Sequence, residues 1–212
     1  MLNFVKLPIR RDGVTLKVAA GHFVTAHSHT NYYINVSSQK IKLREAKAVA
    51  KAMAKDYVNT TMVDTIVCLD NMQVIGACLA SELTKDGLHS INAGQDICIL
   101  TPEMNSRSQL YFRENLQPAI QGKHVLILMA SVATGMTVAK SMECIQYYGG
   151  IIAGVSSIYS AADRAADGTP IHALYRLADL PDYACYPAHD CPLCRRSERI
   201  DALITGNGYS TL

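Results

Sequence analysis

A short loop between an apolar run and a helix-like pattern has the residue types of an anion-binding site. The run HVLILMA (124–130) leads into SVATGMT (131–137). Backbone N–H groups at a helix N-terminus have no partner within the helix, so the loop can bind an anion such as phosphate. Gly135 permits a close approach of the ligand, and the hydroxyls of Thr134 and Thr137 add donors. The alternative is an ordinary turn in which Thr134 caps the helix.

A second group of reactive side chains lies near the C-terminus. Its members are Cys185, His189, Cys191 and Cys194. C-x-x-C is half of a zinc knuckle, and one histidine and one further cysteine would complete four zinc ligands. The usual second pair with a longer spacer is missing, so reduced structural thiols and a redox disulfide stay open. The arginines that follow, Arg195, Arg196 and Arg199, could lower the pKa of nearby thiols or cap a short helix over 195–204.

The elements that must position these residues alternate between strand-like and helix-like patterns. The expected strands cover 62–70, 95–100, 123–129 and 151–160, and the expected helices cover 42–56, 73–83 and 134–148. This alternation predicts an α/β fold with a mostly parallel twisted sheet flanked by helices. Ligands bind at the carboxyl ends of the strands in such folds. Asp70 ends one of these strands, and the loop 131–137 follows another.

Composition divides the chain into three regions. Residues 1–40 contain strand patterns without intervening helices and are expected to form a hood or flap. Residues 41–178 are expected to form the α/β core, and residues 179–212, rich in Pro, Cys and Asp, are expected to form a small Cys-containing appendage.

The overall composition is that of a soluble globular protein. The chain has 212 residues, of which 49% are hydrophobic and 18% charged, with a net charge of +2. This charge does not favour nucleic acid or an anionic membrane, and no apolar run is long enough to span a bilayer. The N-terminus lacks the apolar region of a signal peptide, so we expect a cytoplasmic protein with reduced cysteines.

Three stretches together resemble the type I phosphoribosyltransferase family. HVLILMASVATGMTVAKSMECIQYYGGIIAGVSSIY resembles its signature segment: an apolar strand, an acid pair, a Thr/Gly-rich loop, a helix, a Gly-rich turn and another strand. GHFVTAHSHTNYYINVS and VDTIVCLDNMQVIGACLASEL resemble the base-contacting region and the pyrophosphate loop of orotate phosphoribosyltransferases. The likeness covers roughly residues 14–177.

The resemblance implies roles for particular residues, while catalytic residues stay unassigned. The 5-phosphate would be bound by Ser131, Ala133, Thr134, Gly135, Met136 and Thr137. The pyrophosphate loop would be Asp70, Asn71 and Met72, the base would contact Tyr32, Tyr33 and Arg164, and the flap would supply Arg107 and Arg113.

The resemblance also implies ligands and an assembly. The ligands are Mg²⁺ and phosphoribosyl pyrophosphate, ribose 5-phosphate or a nucleotide. The assembly is a homodimer, and no nucleic-acid partner is expected for an enzyme.

The chain departs from the family at the acid pair that grips the ribose hydroxyls. Met129 and Ala130 occupy these positions. Losing two charge-assisted hydrogen bonds would remove about 1.5–3 kcal/mol each. Two hypotheses follow: an orotate-type phosphoribosyltransferase with a remodelled site, or a catalytically inactive sensor or regulator that binds a phosphorylated ribose or nucleotide. A third is that the loop is only a structural turn.

Overall fold

Strands and helices alternate along much of the chain. The computed structural model describes residues 2–86 and 90–212. Its strands are β1 (Val5–Arg11), β2 (Val14–Val24), β3 (His29–Asn35), β4 (Thr65–Cys68), β5 (Cys98–Leu100), β6 (Glu103–Met104), β7 (Leu110–Tyr111), β8 (His124–Val132), β9 (Ile151–Ser160), β10 (Ile171–Arg176), β11 (Cys185–Tyr186), β12 (Ala202–Thr205) and β13 (Gly208–Thr211). Its α-helices are α1 (Ser37–Ile41), α2 (Leu43–Ala54), α3 (Gln73–Leu83), α4 (Met136–Tyr147) and α5 (Pro192–Arg195). Three short 3-10 helices are Glu114–Ala119, Leu177–Asp179 and Ala188–Asp190.

A five-stranded sheet in the order β10-β9-β8-β4-β5 forms the centre of the fold. Every neighbouring pair in it is parallel. The apolar β8 lies between β4 and β9, and its residues 125–130 are buried. Because parallel strands end at the same edge, the turn after β4 and the loop after β8 are neighbours. The predicted α/β class with a mostly parallel sheet is confirmed.

Helices cover both faces of this sheet. Leu126 and Leu128 on β8 belong to the core that includes buried residues of α2 and α3. Val125 and Ile127 belong to the core on the other face, with buried residues of α4. The alternation of side chains along a strand explains why one apolar run fills both cores.

The helix α2 forms because its apolar residues recur at helical spacing. Ala46, Val49, Ala50 and Met53 are all buried, at positions i, i+3, i+4 and i+7. This stripe faces the sheet, as is typical of an amphipathic helix in an α/β domain.

A second sheet joins the two ends of the chain. It has the order β11-β3-β2-β12-β13, with β1 also paired to β2. The strands β1 to β3 come from the expected hood, and β11 to β13 come from residues 179–212. The C-terminal segment therefore completes the hood sheet through the parallel pair β12 and β2. The short helix considered over 195–204 is wrong, because α5 ends at Arg195 and Ala202–Thr205 is the strand β12.

The segment 101–124 carries a small antiparallel ribbon of β6 and β7, followed by a 3-10 helix. This ribbon lies in the connection between β5 and β8, and its Leu110 carbonyl oxygen accepts a hydrogen bond from Cys144 Sγ on α4. Among the described residues, no helix is long and apolar enough to cross a membrane.

Candidate functional site

A cleft of about 890 Å³ opens where the ends of β4 and β8 face the hood sheet. Its walls come from the turn after β4, the loop after β8, the strand β3 with the helix α1, and the tip of the β12–β13 hairpin. This size suits a small phosphorylated ligand. The location agrees with the expectation that ligands bind at the carboxyl ends of the parallel strands.

The predicted phosphate loop lies on this cleft. Ser131, Ala133, Thr134, Gly135 and Thr137 all line it. Met136 is the first residue of α4; it is 46% exposed but is absent from the cleft lining. The loop thus presents its main chain to the cleft at the start of a twelve-residue helix.

Gly135 gives the loop its shape. It is the N-cap residue of α4, with a left-handed φ of 77° and no side-chain cap hydrogen bond. A Cβ on Gly135 would meet nothing within 4 Å, so the space beside its main chain is open. The Met136 amide makes a long hydrogen bond of 3.4 Å to Thr134 Oγ1. The start of α4 and its helix dipole therefore face a cleft with room for an anion.

The turn after β4 forms the opposite wall. Asp70 and Asn71 line the cleft, and both have left-handed backbones, with φ of 51° and 60°. Successive left-handed non-glycine residues are unusual and often mark functional turns. Met72, the third residue predicted for this loop, is buried in the core and does not reach the cleft lining.

Asp70 and Lys40 supply the charges of the cleft. Burial raises the pKa of the Asp70 carboxyl, while Lys40 and a hydrogen bond from the Ala130 amide oppose that rise. Burial lowers the pKa of Lys40, and Asp70 opposes this change. Among the described residues of the lining, Lys40 is the only lysine or arginine and Asp70 the only carboxylate.

The β12–β13 hairpin closes one side of the cleft and was not anticipated from the sequence. Lys40 Nζ donates a hydrogen bond to the carbonyl oxygen of Gly206 at 3.0 Å. The side chain of Asn71 is hydrogen-bonded to that of Asn207. A Cβ on Gly206 would lie 3.1 Å from both Cα and Oδ1 of Asp70, so the hairpin tip packs closely on the turn.

Tyr32 and Tyr33, predicted to contact the base, both line the cleft. Tyr33 is only 5% exposed, and its ring packs against Phe4, Phe23 and Tyr209. Burial raises the pKa of Tyr33, so it is a neutral phenol. Tyr33 is therefore largely a structural part of this wall, and the half-buried Tyr32 is the more available of the two.

The three predicted arginines lie outside the cleft lining. The exposed Arg164 donates to the carbonyl oxygen of Gly168 at 2.8 Å. Arg113 forms two hydrogen bonds of 2.7 Å with the carboxylate of Glu103, and this pairing lowers the pKa of Glu103 to about 2. Arg107 is exposed in the loop between β6 and β7. From the flap segment, Met104 reaches the lining instead.

Met129 and Ala130, at the positions of the family's acid pair, are 2% and 5% exposed. Met129 packs in the core next to α4, and Ala130 packs in the core on the opposite face. They form part of the cleft floor. No carboxylate projects from these two positions, and the acid nearest to them is Asp70, whose Oδ2 lies 3.2 Å from the Ala130 amide.

The C-terminal cysteines lie away from the cleft and beside two histidines of the hood. Cys191 and Cys194 group with His22 and His29. Cys185, in β11, and the exposed His189 are not members of this group. The sequence indicated the C-x-x-C pair, but His22 and His29 lie more than 160 residues earlier in the chain. The only local sign in the sequence that His22 and His29 could act together is that they lie on two consecutive strands.

Known proteins that are similar to this chain in sequence or in fold are phosphoribosyltransferases. No protein-family model matches the chain. Orotate phosphoribosyltransferase of Thermus thermophilus is 28% identical over 188 residues, which cover 88% of this chain and 92% of that protein. The match therefore covers most of both chains.

Solved structures show the same architecture. Mycobacterium tuberculosis orotate phosphoribosyltransferase superposes with a TM-score of 0.52 at 17% identity, over 77% of this chain and 91% of that one. Adenine phosphoribosyltransferase from Thermoanaerobacter pseudethanolicus gives 0.52 at 15% identity, over 83% and 95%. These structures share the fold of this chain, and the Thermus protein is similar to it in sequence over most of both chains, which supports the resemblance to the type I phosphoribosyltransferase family.

Proposed function

We propose that the cleft binds phosphoribosyl pyrophosphate and that the protein transfers its phosphoribosyl group to or from a pyrimidine or related base. The protein would then be an orotate phosphoribosyltransferase-like enzyme with a remodelled site. The observation that carries this proposal is the loop 131–137, whose left-handed Gly135 opens the start of α4 to the cleft.

The 5-phosphate belongs at this loop. The amides of the first turn of α4 have no partner within the helix, and the helix dipole adds a partial positive charge. Thr134 and Thr137 line the same wall and can donate from their hydroxyls. This phosphate site depends on main-chain groups, so it does not require acidic side chains at the neighbouring positions 129 and 130.

The diphosphate belongs at the turn formed by Asp70 and Asn71. A magnesium ion is commonly held by one or two carboxylates together with substrate phosphates. Asp70, the only carboxylate among the described residues of the lining, fits that pattern as a single protein ligand. When bound, Mg²⁺ would neutralise diphosphate charge, and the half-buried Lys40 would add a second positive charge.

The ribose would be bound more weakly than in a site with the acid pair. Met129 and Ala130 offer no side-chain oxygen, which removes two charge-assisted hydrogen bonds. The exposed hydroxyl of Ser131 and the carboxylate of Asp70 are the nearby oxygen acceptors on the cleft lining. We therefore expect a weak complex in which the 5-phosphate and the diphosphate contribute most of the affinity.

In the transfer, the bond from ribose C1 to the diphosphate oxygen breaks and its electron pair leaves with diphosphate. A base nitrogen forms the new bond to C1, beside the wall that includes Tyr32, and the proton of that nitrogen is released to water. The protein would act by orienting the two reactants and by stabilising the charge on the leaving diphosphate through Lys40.

The apolar residues at the acid-pair positions favour a second candidate function. A protein that binds a phosphorylated ribose or nucleotide without turnover needs the phosphate cradle but not the grip on the ribose hydroxyls. Met129 and Ala130 instead pack into the two cores and give the cleft an apolar floor. This protein would act as a sensor or regulator.

Calorimetry and a turnover assay separate these functions. The protein is titrated with Mg²⁺ and phosphoribosyl pyrophosphate, then with ribose 5-phosphate and with orotidine 5′-phosphate. Chromatography then measures nucleotide formed from orotate. Binding with turnover supports the enzyme, and binding without turnover supports the sensor. Absence of binding to all three ligands would show that the loop is only a structural turn.

The homodimer implied by the resemblance is a separate proposal. Analytical ultracentrifugation with and without the ligand tests it directly, and a monomer at high protein concentration would refute it.

A further inference from the structure

Four side chains from distant parts of the chain converge beneath the hood sheet. His22 lies on β2 and His29 begins β3. Cys191 is the N-cap residue of α5, and Cys194 lies within that short helix. One ligand atom from each lies within 4.8 Å of all the others. His22, His29 and Cys191 are buried, whereas Cys194 is exposed and leaves a route for an ion to enter.

We propose that these four residues form a structural Cys₂His₂ zinc site. The nitrogen atoms His22 Nε2 and His29 Nδ1 are 3.0 Å apart. Cys194 Sγ lies 3.6 Å from His22 Nε2 and 3.3 Å from His29 Nδ1, and Cys191 Sγ lies 3.7 Å from His22 Nε2.

The nitrogen–sulfur separations match the edges of a zinc tetrahedron, and the nitrogen–nitrogen separation of 3.0 Å is somewhat shorter than such an edge. With Zn–N bonds of about 2.0–2.1 Å and Zn–S bonds of about 2.3 Å, tetrahedral angles place two nitrogens about 3.4 Å apart and nitrogen and sulfur about 3.6 Å apart. The measured nitrogen–sulfur distances of 3.3, 3.6 and 3.7 Å fall around that value. Zinc therefore needs only small side-chain movements to fit between the four atoms.

A hydrogen bond outside the cluster orients one of the ligands. His22 Nδ1 lies 3.0 Å from the carbonyl oxygen of Glu198, which can only accept. The proton of a neutral His22 ring is therefore on Nδ1, and the lone pair of Nε2 points into the cluster. Metal-binding histidines commonly donate their second ring N–H to a carbonyl in this way.

The turn that carries the two cysteines has the compact geometry of a knuckle. The amide of Arg195 donates to the carbonyl oxygen of Cys191, and the amide of Ser197 donates to that of Cys194. Pro192 begins α5, where its missing N–H costs nothing. These contacts bring both sulfur atoms to the side of the turn that faces the histidines.

The proposed zinc would fix the C-terminal hairpin on the hood. The His22 amide donates to Asp201 Oδ2 and the Asp201 amide donates to the His22 carbonyl oxygen, both at 2.8 Å. The strand β12 begins at the next residue, Ala202, opposite Phe23. The same hairpin reaches the cleft through Gly206. Since metal binding couples to folding, zinc in this position would stabilise the wall that the hairpin contributes.

Metal analysis of the full-length protein tests the site. The protein is purified under reducing conditions, incubated with Zn²⁺, and passed through a desalting column before elemental analysis. We expect about one zinc ion per wild-type chain, and much less in the variant Cys191→Ser/Cys194→Ser. The matched control Cys98→Ser/Cys185→Ser, which keeps the same number of thiols, should retain zinc. Cobalt substitution should give thiolate charge-transfer bands in the wild type and the control alone.

A stability readout covers the case in which a variant folds poorly. A chelator should lower the Tm of the wild type and of the control, and leave the Tm of the Cys191→Ser/Cys194→Ser variant unchanged. Folded wild-type protein that takes up neither zinc nor cobalt would overturn the proposal, and so would equal zinc content in all three proteins.

Discussion

The Oδ2 atom of Asp70 accepts a hydrogen bond of 3.2 Å from the main-chain amide of Ala130. Asp70 comes shortly after β4, and Ala130 lies on the neighbouring parallel strand β8. Ala130 occupies one of the two positions where the family's signature has acids. The cleft therefore has one carboxylate close to Ala130. It belongs to Asp70, which lies in the left-handed turn after the adjacent strand β4.

Replacing Asp70 should change how stability depends on pH. Burial raises the pKa of this carboxyl, so the folded protein binds the proton more tightly than the unfolded chain does. The stability associated with the neutral acid is therefore present below the ordinary pKa of about 4 and is lost as pH rises through the raised pKa. Asp70→Asn has no such titration, and its Tm should exceed that of the wild type near neutrality.

Thermal unfolding at a series of pH values from about 3.5 to 8 measures this effect. The difference between Asp70→Asn and the wild type should shrink towards the acid end. The exposed Asp96→Asn is the matched control and should follow the wild type throughout. A difference between Asp70→Asn and the wild type that stays constant with pH would contradict the assignment of the effect to a buried carboxyl.

Gly135→Ala should weaken ligand binding by more than it weakens the fold. The left-handed φ of 77° costs an alanine about 1–2 kcal/mol of stability. The new methyl group would meet no protein atom within 4 Å and would occupy the open space where the phosphate is proposed to lie. Calorimetry with phosphoribosyl pyrophosphate should show a loss of about tenfold or more in affinity.

Gly122→Ala is the control for the strain in this experiment. Gly122 also has a left-handed φ, of 69°, and also has open space around its Cβ position, but it lies outside the cleft lining. The Gly122→Ala variant should lose about as much stability as Gly135→Ala and keep the wild-type affinity for phosphoribosyl pyrophosphate. Equal affinities of the two variants would argue against phosphate binding at the loop.

The core elements could be predicted from the sequence because their signals are local. The helix expected over 73–83 is α3, and the strand expected over 151–160 is β9, with the same bounds. The helix expected from residue 134 begins at Met136, because Gly135 is the left-handed N-cap. Apolar periodicity and turn residues specify such elements without knowledge of the rest of the chain.

The partners of the site could not be predicted because they meet through long-range pairing. Lys40 contacts Gly206 across 166 residues, and His22 approaches Cys191 across 169. Both contacts depend on β12 pairing with β2, which also explains why residues 202–205 are a strand and not the helix considered for them. No local pattern encodes which strand an exposed edge will accept.

The parallel sheet should depend strongly on the packing of α3. Leu79 is fully buried in the core between α3 and the sheet. Leu79→Ala should lower the free energy of unfolding by about 2–5 kcal/mol, because it leaves a cavity. In the same helix, Val74 is 42% exposed. Val74→Ala should change the free energy of unfolding by less than about 0.5 kcal/mol. Urea denaturation measures both values, and similar losses in the two variants would contradict the assignment of the buried face.

Gly206→Ala should move the C-terminal hairpin away from the cleft. Its Cβ would lie 3.1 Å from Cα and Oδ1 of Asp70, which is too close for an unshifted hairpin tip. The movement would lengthen the 3.0 Å contact from Lys40 to the carbonyl of residue 206 and weaken the wall beside the proposed diphosphate position. We expect affinity for magnesium phosphoribosyl pyrophosphate to fall by up to about tenfold, or about 1.4 kcal/mol.

The matched control for this change is Ser210→Ala, on the exposed strand β13 of the same hairpin. Both variants should keep nearly the wild-type Tm, since the tip is exposed and contributes little to either core. If Gly206→Ala bound the ligand as tightly as Ser210→Ala, the hairpin would be a neighbour of the site without a part in binding. A loss confined to Gly206→Ala would instead show that the C-terminal segment completes the cleft, because only that substitution changes the contact with Asp70.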